Sequence, residues 1–404
     1  ITGERIELRD EVYLSSSASG DGDGGTVTVE ASGHVLLSDS SASSNSSGET
    51  QSGNAGSVRI SGETVELRDG ANLSSSTWGD GDAGTITVEA SGHVLLSDMF
   101  ALSSGAGETR SGNAGNIRII GETIELRDET RLFSSARGDG DGGTVTVEAS
   151  GHILFSNSLA SSSSAGEGRS GNAGNVRVIG ETVELRDGSR LSSETSGDGE
   201  GGTITVEASG HVLFSDSSVS SSSFGDTPGV NAGNIRILGE TVELRDGARL
   251  SSNTLGEGNA GTVTVEASGH ILFSDSSASS SSLREDSSGN AGNVRISGET
   301  VELRDGSRLS SNTSGDGDGG TIAVEAGGHV LFSDSSVSSA SLGESHSGTA
   351  GNITIVGERV ELRDGTSLLS STQSQGDAGN IRIIGETVEL RDETRLFSST
   401  QGDG

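Results

Sequence analysis

Apolar and polar residues alternate along this chain with a period of two. Val176 and Val178 flank Arg177, and Val183 and Leu185 flank Glu184. In an extended strand that spacing puts the aliphatic residues on one side and the charges on the other. No stretch carries an apolar stripe at helical spacing with capping residues. Three short strands follow one another, as in NVRVI, TVELRD and SRLSS between Asn175 and Ser193, and Gly, Asp, Asn and Ser separate them as turns require.

The pattern repeats. GETVELRDG at Gly62 returns at Gly180, Gly239 and Gly298, and with small changes at Gly3, Gly121, Gly357 and Gly385. The first seven copies start 59 residues apart and the eighth follows after 28. Within each 59-residue unit a second segment, TVTVEASGHILFSNS at Thr144–Ser158, repeats the first in altered form. GNAGNVRV (Gly171–Val178) aligns with GEGGTITV (Gly199–Val206), which resolves an A coil of 28 residues and a B coil of 31. There are eight A coils and six B coils, about 14 in all, and the 28-residue step is an A coil following an A coil.

Stacked in register, the coils predict two inward columns. One runs Leu37, Leu67, Leu96, Leu126, Phe155, Leu185, Phe214, Leu244, Phe273, Leu303, Phe332, Leu362 and Leu390. The other runs from Ile6 and Val35 through Val183 and Val212 to Val360 and Val388. A single coil cannot bury such residues, whereas stacked coils bury them against each other. Crossovers between parallel strands take a right-handed path. The expected fold is therefore all-β, a right-handed parallel β-helix over residues 1–404 as one continuous repeat domain. At ~4.8 Å between paired strands it is a rod of roughly 65–70 Å.

Composition agrees with that picture. Gly is 65 of 404 residues and Pro occurs once, at Pro228. Aromatic residues are 2%, so the expected core is narrow and aliphatic. The net charge is −34, there is no Cys, and all 25 basic residues are Arg. Disulfides, thiolate metal sites and lysine isopeptide cross-links are thereby excluded. The acidic balance argues against nucleic acid and anionic membranes as partners, and no apolar run is long enough to span a bilayer. The chain opens and closes in mid-coil, so it reads as a window of a longer protein whose helix axis continues head to tail through Ile1 and Gly404.

Candidate chemistry is sparse. The turn GDGDGG at Gly20–Gly25, with relatives at Gly79, Gly138, Gly197, Gly256 and Gly315, matches a nucleotide-binding fingerprint in letters only, because a strand follows it and not a helix. Its Asp residues suggest calcium, but they recur every 59 residues, and Asp198–Glu200 and Glu257–Asn259 alter the pattern. The reading is an ordinary turn with Asn113 beside Asp141 and Asn172 beside Glu200, each amide donating to the carboxylates on either side and spacing their charges. Histidines 34, 93, 152, 211, 270 and 329 fall once per B coil, too far apart at ~9.6 Å to share a metal; they read as a solvent-facing turn ladder with Thr neighbours such as Thr182. Thr26/Thr28, Thr85/Thr87, Thr144/Thr146, Thr203/Thr205 and Thr262/Thr264 form outward pairs that would suit an ice or mineral surface, interrupted by Asn and Arg of the A coils such as Asn116 and Arg118. Breaks in the repeat occur at Trp78, Met99–Phe100, Phe224–Asn231 and Leu283–Asp286, all read as lying in Ser-rich loops. They form no acid/base set, so neither a catalytic residue nor a cofactor or metal site is expected.

The motif GNAGN(I/V)RI–GETVELRDG–LSSSTSGDGDGGT(V/I)TVEASGHVLFS resembles the repeats of filamentous haemagglutinin-like exoproteins of two-partner secretion systems, most of all the cyanobacterial members. The resemblance covers essentially the whole chain. It implies export through an outer-membrane partner transporter, an extracellular or cell-surface location, and a role as adhesin or fibre that meets glycans or cell surfaces. No functional residue transfers with it. The expectation is a structural or adhesive rod; the alternatives are an ice-, mineral- or cation-binding surface and a carbohydrate-cleaving β-helix enzyme.

Overall fold

A computed structural model describes the chain except residues 49–51, 108–111, 167–168, 226, 228, 286, 344–347, 374 and 402–404. Pro228, Asp286 and Gly404 therefore lie outside the described residues. The chain comprises two compact units, Ile1–Val206 and Glu207–Gly404, built from the same coil. Among the described residues there is no helix, and the strands stack in parallel as a β-solenoid of about 13 turns, a parallel β-helix.

Each coil has three strands, as the alternation predicts. In one A coil they are Val176–Gly180, Thr182–Arg186 and Arg190–Ser192; in the preceding B coil, Val145–Ala149, His152–Ser156 and Leu159–Ala165. First and second strands build one sheet and third strands another. The register is the predicted one. In the first unit Leu37, Leu67, Leu96, Leu126, Phe155 and Leu185 pair in succession. In the second, Phe214, Leu244, Phe273, Leu303, Phe332 and Leu362 do so. All of these are buried.

On the second and third strands A coils bury Leu with Leu, as at Leu126 and Leu132 or Leu185 and Leu191, whereas B coils bury varied pairs such as Leu96 and Ala101, Phe155 and Ala160, and Phe214 and Val219. In the coil of Leu96 and Ala101, Met99 stands at the corner just before the third strand Phe100–Gly105. Met99 is 3% exposed, so it belongs to the core and not to a surface loop; its unbranched side chain suits an irregular gap.

The corner between second and third strands has a residue in the left-handed region in every coil, from Asp39 at φ 49° to Asp364 at φ 53°. Asp and Asn tolerate that region best among residues with a Cβ. A coils carry one further residue there, Gly188 at φ 78° or Glu129 at φ 65°. The extra residue absorbs the offset between A and B coils, so that Leu154 pairs with Glu184 before the corner and Leu159 with Arg190 after it.

One part of the column assignment is corrected. Val388 and Leu390 are 45% and 46% exposed, because among the described residues no strand pairs on their far side. They are stacked on Val360 and Leu362 but not enclosed.

Candidate interaction surface

The interior holds a second ladder, of hydroxyls. Continuing the alternation from Leu191 places Ser193 and Thr195 inside, and both are buried. The Ser193 hydroxyl donates to the Gly174 carbonyl at 2.6 Å, Ser134 to Gly115 at 2.6 Å, Ser103 to Gly84 at 2.8 Å and Ser370 to Gly351 at 2.7 Å. These bonds tie the third strand to the segment that opens the first strand, and they satisfy hydroxyls that would otherwise be buried unpaired. The glycines are stacked backbone against backbone. A Cβ on Gly174 would lie 1.9 Å from the Gly143 oxygen.

The predicted Asn–Asp neighbours are present, with a different bond. In the turn ladder the backbone N–H of each residue donates to the side-chain oxygen of its equivalent one coil earlier: Asn113 N–H to Asp82 Oδ1 at 2.8 Å, Asp141 N–H to Asn113 Oδ1 at 2.9 Å, and Asn172 N–H to Asp141 Oδ1 at 2.7 Å. Amide and carboxylate serve equally as acceptor, and alternating them halves the stacked charge. The Gly-rich turns run directly into strands such as Val145–Ala149. Among the described residues no group of three or more His, Cys, Asp or Glu is placed to hold a metal ion.

The histidines are half-buried and not simply solvent-facing. Nδ1 of His93 is hydrogen-bonded to Thr123 Oγ1 at 2.8 Å, and that of His152 to Thr182 at 2.7 Å; His270 and Thr300 pair likewise in the second unit. His329 pairs with Arg359 in place of Thr, and its Nε2 is buried without a partner among the described residues.

The first strands present Thr and Arg in turn. Thr87 sits between Arg59 and Arg118, and Thr146 between Arg118 and Arg177. Arg59 reaches Glu89 at 2.7 Å and Arg118 reaches Glu148 at 3.3 Å. The outward Thr pairs are therefore separated by charged pairs and make no flat hydroxyl array. On the second strands, Leu95 and Leu154 of B coils flank Glu125 of the A coil between them, so like charges are not stacked.

Among the described residues that separation fails where an A coil follows an A coil. Glu361 pairs directly with Glu389. Three guanidinium groups compensate: Arg359 lies 3.2 Å from both carboxylates, Arg363 lies 3.5 Å from Glu361, and Arg391 contacts Glu361 closely. Glu361 is 6% exposed. Burial pushes its pKa up, but the hydrogen bonds from Arg359 and Arg391 and the charges of Arg391 and Arg363 outweigh it, and the carboxyl stays below the usual 4.5. A depressed carboxyl contributes stability above the unfolded-state value and loses it as pH falls through the folded one. Glu361→Gln should therefore destabilise the second unit by about 1–3 kcal/mol at neutral pH. The gap to the parent should close below about pH 4.5 in denaturant titrations. A gap independent of pH would refute this role. The replacement of Thr by Arg359 in GERVELRDG was the available sequence sign of this cluster.

The breaks in the repeat fall in both units. Trp78 ends a third strand and is 64% exposed, and Phe100 lies on a third strand against Phe133, ring centroids 5.6 Å apart. These are strand positions and not loops, since third strands extend to seven residues here, as at Asn72–Trp78 and Arg131–Arg137. Phe224 and Leu283 are exposed beyond third strands of the other unit. No helix among the described residues is long and apolar enough to cross a membrane. No protein-family model, curated protein or solved structure matches this chain.

Proposed function

We propose that this chain is the structural and adhesive β-helical stalk of a secreted or cell-surface protein, and that it performs no catalysis. One observation carries the reading: among the described residues the outward His–Thr, Thr–Arg and Asn–Asp ladders recur from double coil to double coil, so surface chemistry is distributed along the coils. Catalysis needs a nucleophile or acid/base pair converging on one reacting atom. A spacer needs an uninterrupted hydrogen-bonded ladder and a filled core, which the Leu/Phe columns and the Ser–Gly bonds supply. The repeat's resemblance to filamentous haemagglutinin-like exoproteins supports export through an outer-membrane transporter and contact with glycans or cell surfaces. Head-to-tail self-association into filaments belongs to the same reading.

Negative-stain electron microscopy of the purified chain tests it. Uniform rods of roughly 65–70 Å are expected from the ~4.8 Å strand spacing. Compact globules would overturn the proposal, as would cleavage of a polysaccharide by the purified chain.

A further inference from the structure

The third-strand sheet differs from the rest of the surface. The chain has 59 acidic residues, yet among the described residues the strands of this sheet, from Tyr13–Ser15 to Arg395–Thr400, contain no Asp or Glu, and Glu194 lies just beyond Arg190–Ser192. Its charges are arginines. Arg131 and Arg190 in the first unit, and Arg249 and Arg308 in the second, occupy the first outward position of A-coil third strands and are exposed. Arg131 and Arg190 both pair with Leu159, and Arg249 and Arg308 both pair with Ser277, so each pair is two strand spacings apart, ~9.6 Å. Arg249 and Arg308 have no ion-pair partner among the described residues and border an open groove of about 410 Å³ that also holds Asp275.

The opposite edge of the same sheet is acidic. There the Gly/Asp turns present exposed Asp80 and Asp82, Asp139 and Asp141, Asp198 and Glu200, again once per two coils. The inner residues are held in place, because Asp82 and Asp141 each accept a backbone N–H of the next coil through Oδ1.

We propose that copies of this chain associate side by side with parallel axes, the arginine column of one against the acidic turn column of the next. A second copy is the partner that fits, because it reproduces the two-coil interval by construction. Each exposed ion pair contributes only ~0–1 kcal/mol, so the association depends on a row of pairs in register acting together. The two edges differ, so the contact is heterologous and open-ended, and it extends into lateral arrays. The net charge of −34 opposes approach when salt is low. At 0.01 M salt that repulsion reaches ~30 Å; at 0.15 M it is cut to ~8 Å and contact pairs survive; at 1 M, with ~3 Å, the pairs are screened as well. Association is therefore strongest at intermediate salt.

Sedimentation velocity of the full chain at these three salt concentrations tests the proposal. Association that peaks near 0.15 M is expected. The quadruple variant Arg131→Gln, Arg190→Gln, Arg249→Gln, Arg308→Gln should weaken it at least about tenfold with an unchanged circular dichroism spectrum. Mixing a quadruple Arg→Glu variant with an Asp82→Arg, Asp141→Arg variant should restore it. A monomer at all three salt concentrations, or association indifferent to the arginine changes, would overturn the proposal and leave the rod reading intact. So would a parent chain that stays monomeric alone yet binds polygalacturonate through these arginines, which would make the face a polyanion site.

Discussion

Leu303→Asp should unfold the coils around it. Leu303 is fully buried between Phe273 and Phe332, its partners in the neighbouring coils. Truncating a buried Leu to Ala costs about 2–5 kcal/mol through lost transfer energy and the cavity left behind. The carboxylate adds a polar group with no partner in an aliphatic column, so the total loss is about 4 kcal/mol or more. That approaches the whole stability of a typical domain, about 5–15 kcal/mol. In a repeat protein each coil is held by its neighbours, so damage spreads outward from the site. Amide exchange should accelerate across 263–332 and stay slow at Ile117–Arg127 in the other unit. Glu302→Ala, one residue away on the outer face, is the control and should leave exchange unchanged. Undisturbed protection in the Leu303 variant would mean that the column is misassigned.

Gly174→Ala is the second large effect, and it arises from backbone and not from side-chain burial. The new Cβ would lie 1.9 Å from the Gly143 carbonyl oxygen, 2.5 Å from that of Gly142 and 2.5 Å from Ser162 Oγ. Ordinary contact needs more than 3 Å, so two coils must part by over an ångström at that point. The neighbour cannot give way cheaply, because the Gly143 carbonyl is held by the Ser162 hydroxyl and the Gly143 N–H donates to Ser134 Oγ at 3.0 Å. Overpacking costs about 1–3 kcal/mol even where side chains can adjust, so about 3 kcal/mol or more is expected here. At Gly22 the nearest atom to an added Cβ is 3.8 Å away, and Gly22→Ala should change stability by less than about 0.5 kcal/mol. Denaturant midpoints of the two variants, compared with the parent, decide the matter. Equal midpoints would show that the glycine stack is not a packing constraint.

Much of the fold was legible, for a specific reason. Period-two alternation reports burial of one strand face, and a one-residue slip would turn Val183 and Leu185 outward, so the pattern specifies register as well as strand. Turn residues separate the strands in the sequence, and two of them, Asp187 and Gly188, stand at the corner that takes the left-handed region. The outward ladders were less legible. Asn113 stands beside Asp141 as the alignment of turns predicts, but its oxygen accepts a backbone N–H, a role that composition does not distinguish from donation. Met99 interrupts a Ser-rich segment and so reads as a surface break, whereas in the fold it is buried at the corner of its coil.

By itself the sequence determined the repeat, the strand periodicity, the parallel stacking and the identity of the aliphatic columns. Each follows from local alternation copied at a constant interval, because transfer of Val, Leu and Phe from water is strong and independent of direction. Only the tertiary structure decided which serines lie inside, which carbonyls they bind, why Gly143 and Gly174 must be glycine, and how Glu361 is held beside Glu389. Those outcomes depend on distances between coils of a few tenths of an ångström and on the direction of single hydrogen bonds. A Ser costs little on either face of a strand, so hydropathy carries no record of its side; the partner 19 residues away settles it.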